Sequence, residues 1–174
     1  KLIPNPASIV FEENGGTAVE DMTGRTDQAI EDTAMPETTK AGYDFDGWYT
    51  KDGPDGDWGE KVESLPGAFP AGVTTYYAKW TEDPEDKVDA TYDVQYFKDG
   101  VEAGEPETVN TKAWAGDPTA AEFVEGSVNT TDKFPGYTFQ KTEPAEIGET
   151  VEAGSTINVY YVSDPASIVF EENG

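Results

Sequence analysis

Ten residues occur twice in this 174-residue chain. Pro6-Ala-Ser-Ile-Val-Phe-Glu-Glu-Asn-Gly15 returns unchanged as Pro165-Ala-Ser-Ile-Val-Phe-Glu-Glu-Asn-Gly174, 159 positions on. A period that long exceeds the roughly 20–50 residues of solenoid repeats. It implies a tandem array of independently folded units. The chain is expected to be an interior fragment of such an array. On this reading residues 164–174 begin the next repeat, and the strand Ser167-Ile-Val-Phe170 lacks a domain of its own.

Composition narrows what the units can be. Leucine occurs only at Leu2 and Leu65, against 9 tyrosines, 8 phenylalanines and 4 tryptophans. With 18 glycines and 12 prolines, that balance favours short strands and turns over helices. A disordered acidic chain would be poor in aromatics. The absence of cysteine and histidine excludes disulfides, thiolate zinc sites and Ser–His or Cys–His catalysis. A net charge of −25 argues against nucleic acid and anionic membrane surfaces as partners. No apolar run approaches the roughly 18–20 residues of a membrane span.

Inside the long repeat lies a fainter one. Each half opens with an aromatic strand, Ser8-Ile-Val-Phe11 and Tyr92-Asp-Val-Gln-Tyr-Phe97. Each has a Gly-Tyr-x-Phe strand, at Gly42–Phe45 and Gly136–Phe139, and each closes on Tyr-Tyr, at Val73–Ala78 and Ile157–Val162. Two related domains are expected, residues 6–81 and 90–163, joined by a charged linker at 82–89. The first junction should be hinge-like, and the proline-containing one at Ser163–Ala166 stiff. Helix signals are scarce. Asp117–Gly126 has capping-box spacing at Thr119 and Glu122 and a stop at Gly126; Asp27–Glu31 is a weaker candidate.

The first half carries Ile9-Val-Phe-x-x-Asn14-Gly-Gly16, Met35-Pro36, Gly42-Tyr-x-Phe45-x-Gly47-Trp48-Tyr49 and Tyr76-Tyr-Ala-Lys-Trp80. Over residues 7–81 this resembles the Listeria–Bacteroides repeat, the internalin B-repeat-like module of bacterial surface proteins. The insertion Thr50–Glu60 departs from that pattern. The second half carries Val94-Gln-Tyr-Phe-Lys-Asp-Gly100, Pro135-Gly-Tyr137 and Gly148-Glu-Thr-Val-Glu-Ala-Gly-Ser-Thr-Ile-Asn-Val-Tyr-Tyr161, and resembles a MucBP-type (mucin-binding protein) repeat. Both resemblances imply small β-grasp, ubiquitin-like domains on secreted or wall-attached adhesins. The expected fold is therefore α+β, mainly β: two tandem β-grasp domains with short or vestigial helices.

Candidate sites are few. Trp48 and Trp80 are expected in the core, where aromatics replace leucine, and Trp114 as a packing anchor. Trp58 lies in the glycine- and aspartate-rich insertion and is the aromatic best placed for ligand contact. Asp52, Asp55, Asp57 and Glu60 surround it, and calcium is the cation such oxygens could take. Their spacing is not that of an EF-hand, so a solvated acidic turn is the competing reading. Glu82, Asp83, Glu85 and Asp86 could gather calcium at the junction, though charge runs are usually solvated. Lys98 and Asn158 are a conceivable isopeptide pair, and Asn129-Thr-Thr131 is a formal glycosylation sequon.

Paired carboxylates could serve glycoside hydrolysis, but domains this small rarely enclose a cleft, so no enzymatic activity and no cofactor are expected. The expected role is an extracellular, wall-attached stalk module whose partners are neighbouring repeats, with about 60–80 Å of reach per repeat. Direct binding of host mucin-type glycans or glycoproteins by the second domain is the alternative. No nucleic-acid partner and no membrane insertion are expected.

Overall fold

A computed structural model describes residues 2–168. Residues 169–174, which finish the second decapeptide and the expected orphan strand, lie outside the described residues. The chain divides into two compact units between Asp86 and Lys87.

Alternation builds the first unit. In β1 (Pro6–Glu12), Ala7, Ile9 and Phe11 point inward and are buried, while Ser8 and Val10 face out. β1 pairs antiparallel with β2 (Met22–Arg25) and parallel with β5 (Gly72–Glu82). On the far side of β5 lie β3 (Tyr43–Tyr49) and β4 (Lys61–Val62), so the sheet order is β2-β1-β5-β3-β4. The core is aromatic, as the shortage of leucine requires. Trp48 is 1% exposed and meets Phe11 edge-on at 5.0 Å and Phe45 at 5.6 Å. Trp80 packs half-buried on Phe45 at 5.1 Å.

The second unit repeats this scaffold. Its strands are β6 (Lys87–Lys98), β7 (Val101–Glu102), β8 (Glu107–Trp114), β9 (Ala120–Glu122), β10 (Tyr137–Glu143), β11 (Thr150–Glu152) and β12 (Thr156–Ser163). The run β8-β6-β12-β10 matches β2-β1-β5-β3 in order and in strand direction, with β6 and β12 as the parallel pair. The internal echo is thus a shared topology. Beyond β8 the second unit adds β9 and β11, and β7 folds back on β6.

Even an irregularity is shared. In β3 the register slips between Phe45 and Gly47, leaving Asp46 as an extra residue. Phe45 sits opposite Trp80 and Trp48 opposite Ala78, so two side chains three positions apart reach the same core face. In β10 the slip falls between Phe139 and Lys141, and brings Phe139 and Thr142 to one face.

The described residues contain no helix, so the α component expected at both candidate segments is corrected to sheet and loop. At Asp117–Gly126 the Asp117 carboxylate accepts from the Thr119 amide at 3.2 Å, which spends the capping signal on a turn. Ala121 then pairs with fully buried Ala113, and the flanking amides of Phe123 and Ala153 bond to Glu149 and Thr119 carbonyls. Ladder partners win over a marginal one-turn helix. At Asp27–Glu31, Asp27 has φ 64°, and Gln28 and Ile30 bond to Phe69 and Gly67.

Loops therefore cover both cores, and buried polar tips fasten them. Trp48 Nε1 donates to the Pro36 carbonyl at 2.6 Å. In the second unit three tyrosine hydroxyls anchor residues 124–131. Tyr92 accepts from the Val124 amide, Tyr96 from the Asn129 amide, and Tyr161 donates to the Asn129 and Thr131 carbonyls at 2.9 Å. Burial raises the Tyr161 hydroxyl pKa, as it does for Tyr76.

The linker expected over 82–89 is shorter than its composition suggests. Glu82 ends β5 and Lys87–Asp89 open β6, leaving only 83–86 between strands. That turn is tied down within the first unit: the Asp83 amide donates to the Gly42 carbonyl at 2.8 Å, and Asp86 Oδ2 accepts from the Gly42 amide at 2.7 Å.

Candidate functional site

The insertion Thr50–Glu60 extends the β3–β4 hairpin. The Thr50 and Lys51 amides bond to the Glu60 and Trp58 carbonyls at 3.1 Å each, and Gly56 closes a turn on Gly53. Trp58 at this hairpin is half-buried. Its edge meets Tyr49 at 6.0 Å, and its indole covers Gly53 so closely that a Cβ there would stand 2.2 Å from the ring. Trp58 thus packs within the loop while staying partly exposed.

The acidic residues around it do not converge. Asp57 pairs with Lys51 and accepts from the Gly59 amide at 3.0 Å; the Lys51 bond chiefly holds its carboxyl below the usual range. Asp52 instead accepts from Asn14 Nδ2 at 3.1 Å. Asp55 and Glu60 are exposed. Among the described residues no group of three or more carboxylates is disposed to hold a metal ion. At the junction, Asp83 accepts from the Glu85 amide and Asp86 is committed to Gly42.

Lys98 and Asn158 are kept apart. Asn158 is in register with Gln95, three residues along β6 from Lys98. Lys98 shares the core-side parity of Tyr92, Val94 and Tyr96, and its ammonium lies 5.4 Å and 5.2 Å from the Phe134 and Tyr137 ring centroids. Asn158 alternates to the opposite face from Ile157 and Val159. The isopeptide expectation is thereby corrected. Asn129, in the sequon, turns its side-chain oxygen to the Thr131 amide at 2.9 Å. Trp114 is half-buried and folds over Gly116.

A groove of about 420 Å³ runs beside the insertion in the first unit, lined by Met35, Pro36, Phe45, Trp48 and Lys61. The Lys61 stem crosses Gly47, whose missing side chain makes room for it. Glu37, Glu63 and Thr38 also line it, so its apolar walls carry both carboxylates and the Lys61 ammonium group.

Sequence reasoning missed the outward face of the second sheet. Phe97 and Tyr160 face each other across the parallel pair and stack at 4.8 Å and 17°. Lys141 lies 4.8 Å from the Tyr160 ring centroid, and the Tyr160 hydroxyl donates to Glu143 at 2.9 Å. Hydrogen bonds from Lys141 and then Tyr160 hold the Glu143 carboxyl below its ordinary range. The signal was present in Tyr96-Phe97 and Tyr160-Tyr161: of two adjacent aromatics in a strand, one must face away from the core.

Residues 8–79 match the family model of the Listeria-Bacteroides repeat domain, a repeat found in bacterial surface proteins and typical of extracellular ones. The matched segment lies wholly in the first unit. No curated protein and no solved structure matches the chain.

Proposed function

We propose that this chain is a repeat module of a bacterial cell-surface adhesin, a spacer that carries a distal adhesive region away from the wall and performs no catalysis. The observation that supports this reading is the parallel pairing of first and last strands in each unit. Because β1 and β5 run the same way side by side, the chain enters the first unit at one end of the sheet and leaves at the other. β6 and β12 do the same. Each unit thus adds its sheet length to the reach of the chain, where an antiparallel terminal pair would return it to its starting point. From Gly72, level with Ala7, to Glu82 is about 33 Å at ~3.3 Å per residue. The 12 residues of β6 span about 40 Å.

Both units belong, on this proposal, to the β-grasp type with a fastened loop where a helix would lie, and the second is a MucBP-like repeat. The shared order around a central parallel pair supports this. Neighbouring repeats are the partners, outside the cell, and the −25 charge favours solvation over contact with nucleic acid or lipid. Small-angle scattering of one, two and three 159-residue repeats tests the spacer. Maximum dimension should rise by about 60–80 Å per repeat; growth as the cube root of mass would contradict it.

A second reading, binding of host mucin-type glycans by the second unit, is favoured by the outward Phe97–Tyr160 stack with Asn158 and Lys141 on the same face. Glycan-array binding lost in Tyr160→Ala would support it. No binding, or binding unchanged by the substitution, would dismiss it.

A further inference from the structure

The turn after β1 holds the one Asn-Gly step among the described residues, Asn14-Gly15. An asparagine followed by glycine can react with itself. The next main-chain nitrogen reaches the side-chain carbonyl carbon, and glycine has no Cβ to block the approach. Elsewhere the following residue obstructs it: a threonine after Asn110 and Asn129, a valine after Asn158, and a proline, with no N–H, after Asn5. Asn14 is exposed, so water reaches it. Its neighbours nonetheless restrain it. Nδ2 donates to the Ala78 carbonyl at 2.9 Å and to Asp52 Oδ1 at 3.1 Å, and Lys40 Nζ donates to the Asn14 carbonyl at 3.2 Å. Asn14 and Gly15 are held at φ 50° and 88°.

We propose that Asn14 is a self-modification site whose rate is set by the fold, and whose product frees the insertion Thr50–Glu60 from the turn after β1. The Gly15 nitrogen bonds to Asn14 Cγ, the Cγ–Nδ2 bond breaks, and ammonia leaves with the Gly15 amide proton. Water then opens the succinimide ring. Cleavage of the new Cγ–N bond gives aspartate, and cleavage of the original peptide bond gives isoaspartate. In the folded unit, closing the ring means breaking both Nδ2 bonds and turning a peptide that Lys40 fixes, so the reaction proceeds chiefly when this turn opens. The product inverts the contact. A carboxylate replaces the carboxamide against the Ala78 carbonyl and the Asp52 carboxylate, and attraction becomes repulsion. Isoaspartate also lengthens the main chain by a methylene, next to the Glu13 carbonyl that accepts from the Gly16 amide and from Trp80 Nε1.

Peptide mapping by mass spectrometry of the full chain, aged at mildly alkaline pH, tests the chemistry and its restraint. In guanidinium chloride Asn14 should convert severalfold faster than Asn110, Asn129 or Asn158; equal rates overturn the proposal. Without denaturant Asn14 should slow severalfold. Asp52→Ala, at an exposed position, should restore part of that loss while tryptophan fluorescence stays native. Conversion as fast in the folded chain as in denaturant, or a folded Asp52→Ala chain no faster than the unaltered one, also overturns it. Asn14→Asp supplies the product directly. Hydrogen exchange should then quicken severalfold at the Thr50 and Lys51 amides, which bond to Glu60 and Trp58, and stay unchanged in β6 and β12. Exchange at Thr50 and Lys51 unaltered by Asn14→Asp contradicts the release of the insertion.

Discussion

Gly47 carries more of the first unit than its size suggests. At φ 119° it occupies backbone space that other residues rarely enter, and a Cβ would stand 2.6 Å from Lys61 Cε. Its place beside the bulge is what turns Trp48 to the same face as Phe45. Gly47→Ala should destabilise the unit by about 1–3 kcal/mol, read by urea denaturation with tryptophan fluorescence. Gly56→Ala, also at positive φ but with nothing within 4 Å, should cost less because no neighbour is displaced. Equal losses at the two positions would contradict this account of the bulge.

Among the elements, the turn at 83–86 shows how tertiary bonds reshape a segment that reads as linker. Asp86→Ala removes the acceptor for the Gly42 amide, costing about 1 kcal/mol. Hydrogen exchange should then quicken at the Gly42 amide; exchange unchanged from the native rate would show that the carboxylate does not hold the turn. The same contest decided what was legible in the chain. Strand alternation around Ile9, Phe11 and Val94 and the recurrence of Gly-Tyr-x-Phe were readable, because burial on one face leaves a period of two; Ile157–Val162 alternates imperfectly and reads as a strand covered on both faces. The bulges at Asp46 and Gln140 were not, since one extra residue only looks like broken alternation. Thr119 and Glu122 misled because capping spacing is local, while the partners that recruited Ala121 and Phe123 lie at Ala113 and Glu149. At the insertion, composition located Trp58 and its carboxylates. The lysine that claims Asp57 and the asparagine that claims Asp52 depend on the folded hairpin.

For the whole molecule, charge and topology govern behaviour. Six ion pairs link described residues, all on side chains with substantial solvent exposure, against a net −25. Exposed pairs contribute about 0–1 kcal/mol each, so self-repulsion should dominate. Raising sodium chloride from about 10 to 150 mM shortens the screening length and should raise Tm by calorimetry; a fall would mean that the attractive pairs outweigh the repulsion. The central claim is that each unit is entered and left at opposite ends of a parallel strand pair. Pulling on the chain termini then slides β1 against β5, and β6 against β12, loading every bond between them at once. Single-molecule force spectroscopy of the chain tests this most directly. Two abrupt ruptures are predicted, each releasing roughly 200–250 Å of chain from a unit of about 77 residues. Gradual lengthening at low force, strand by strand, would contradict it.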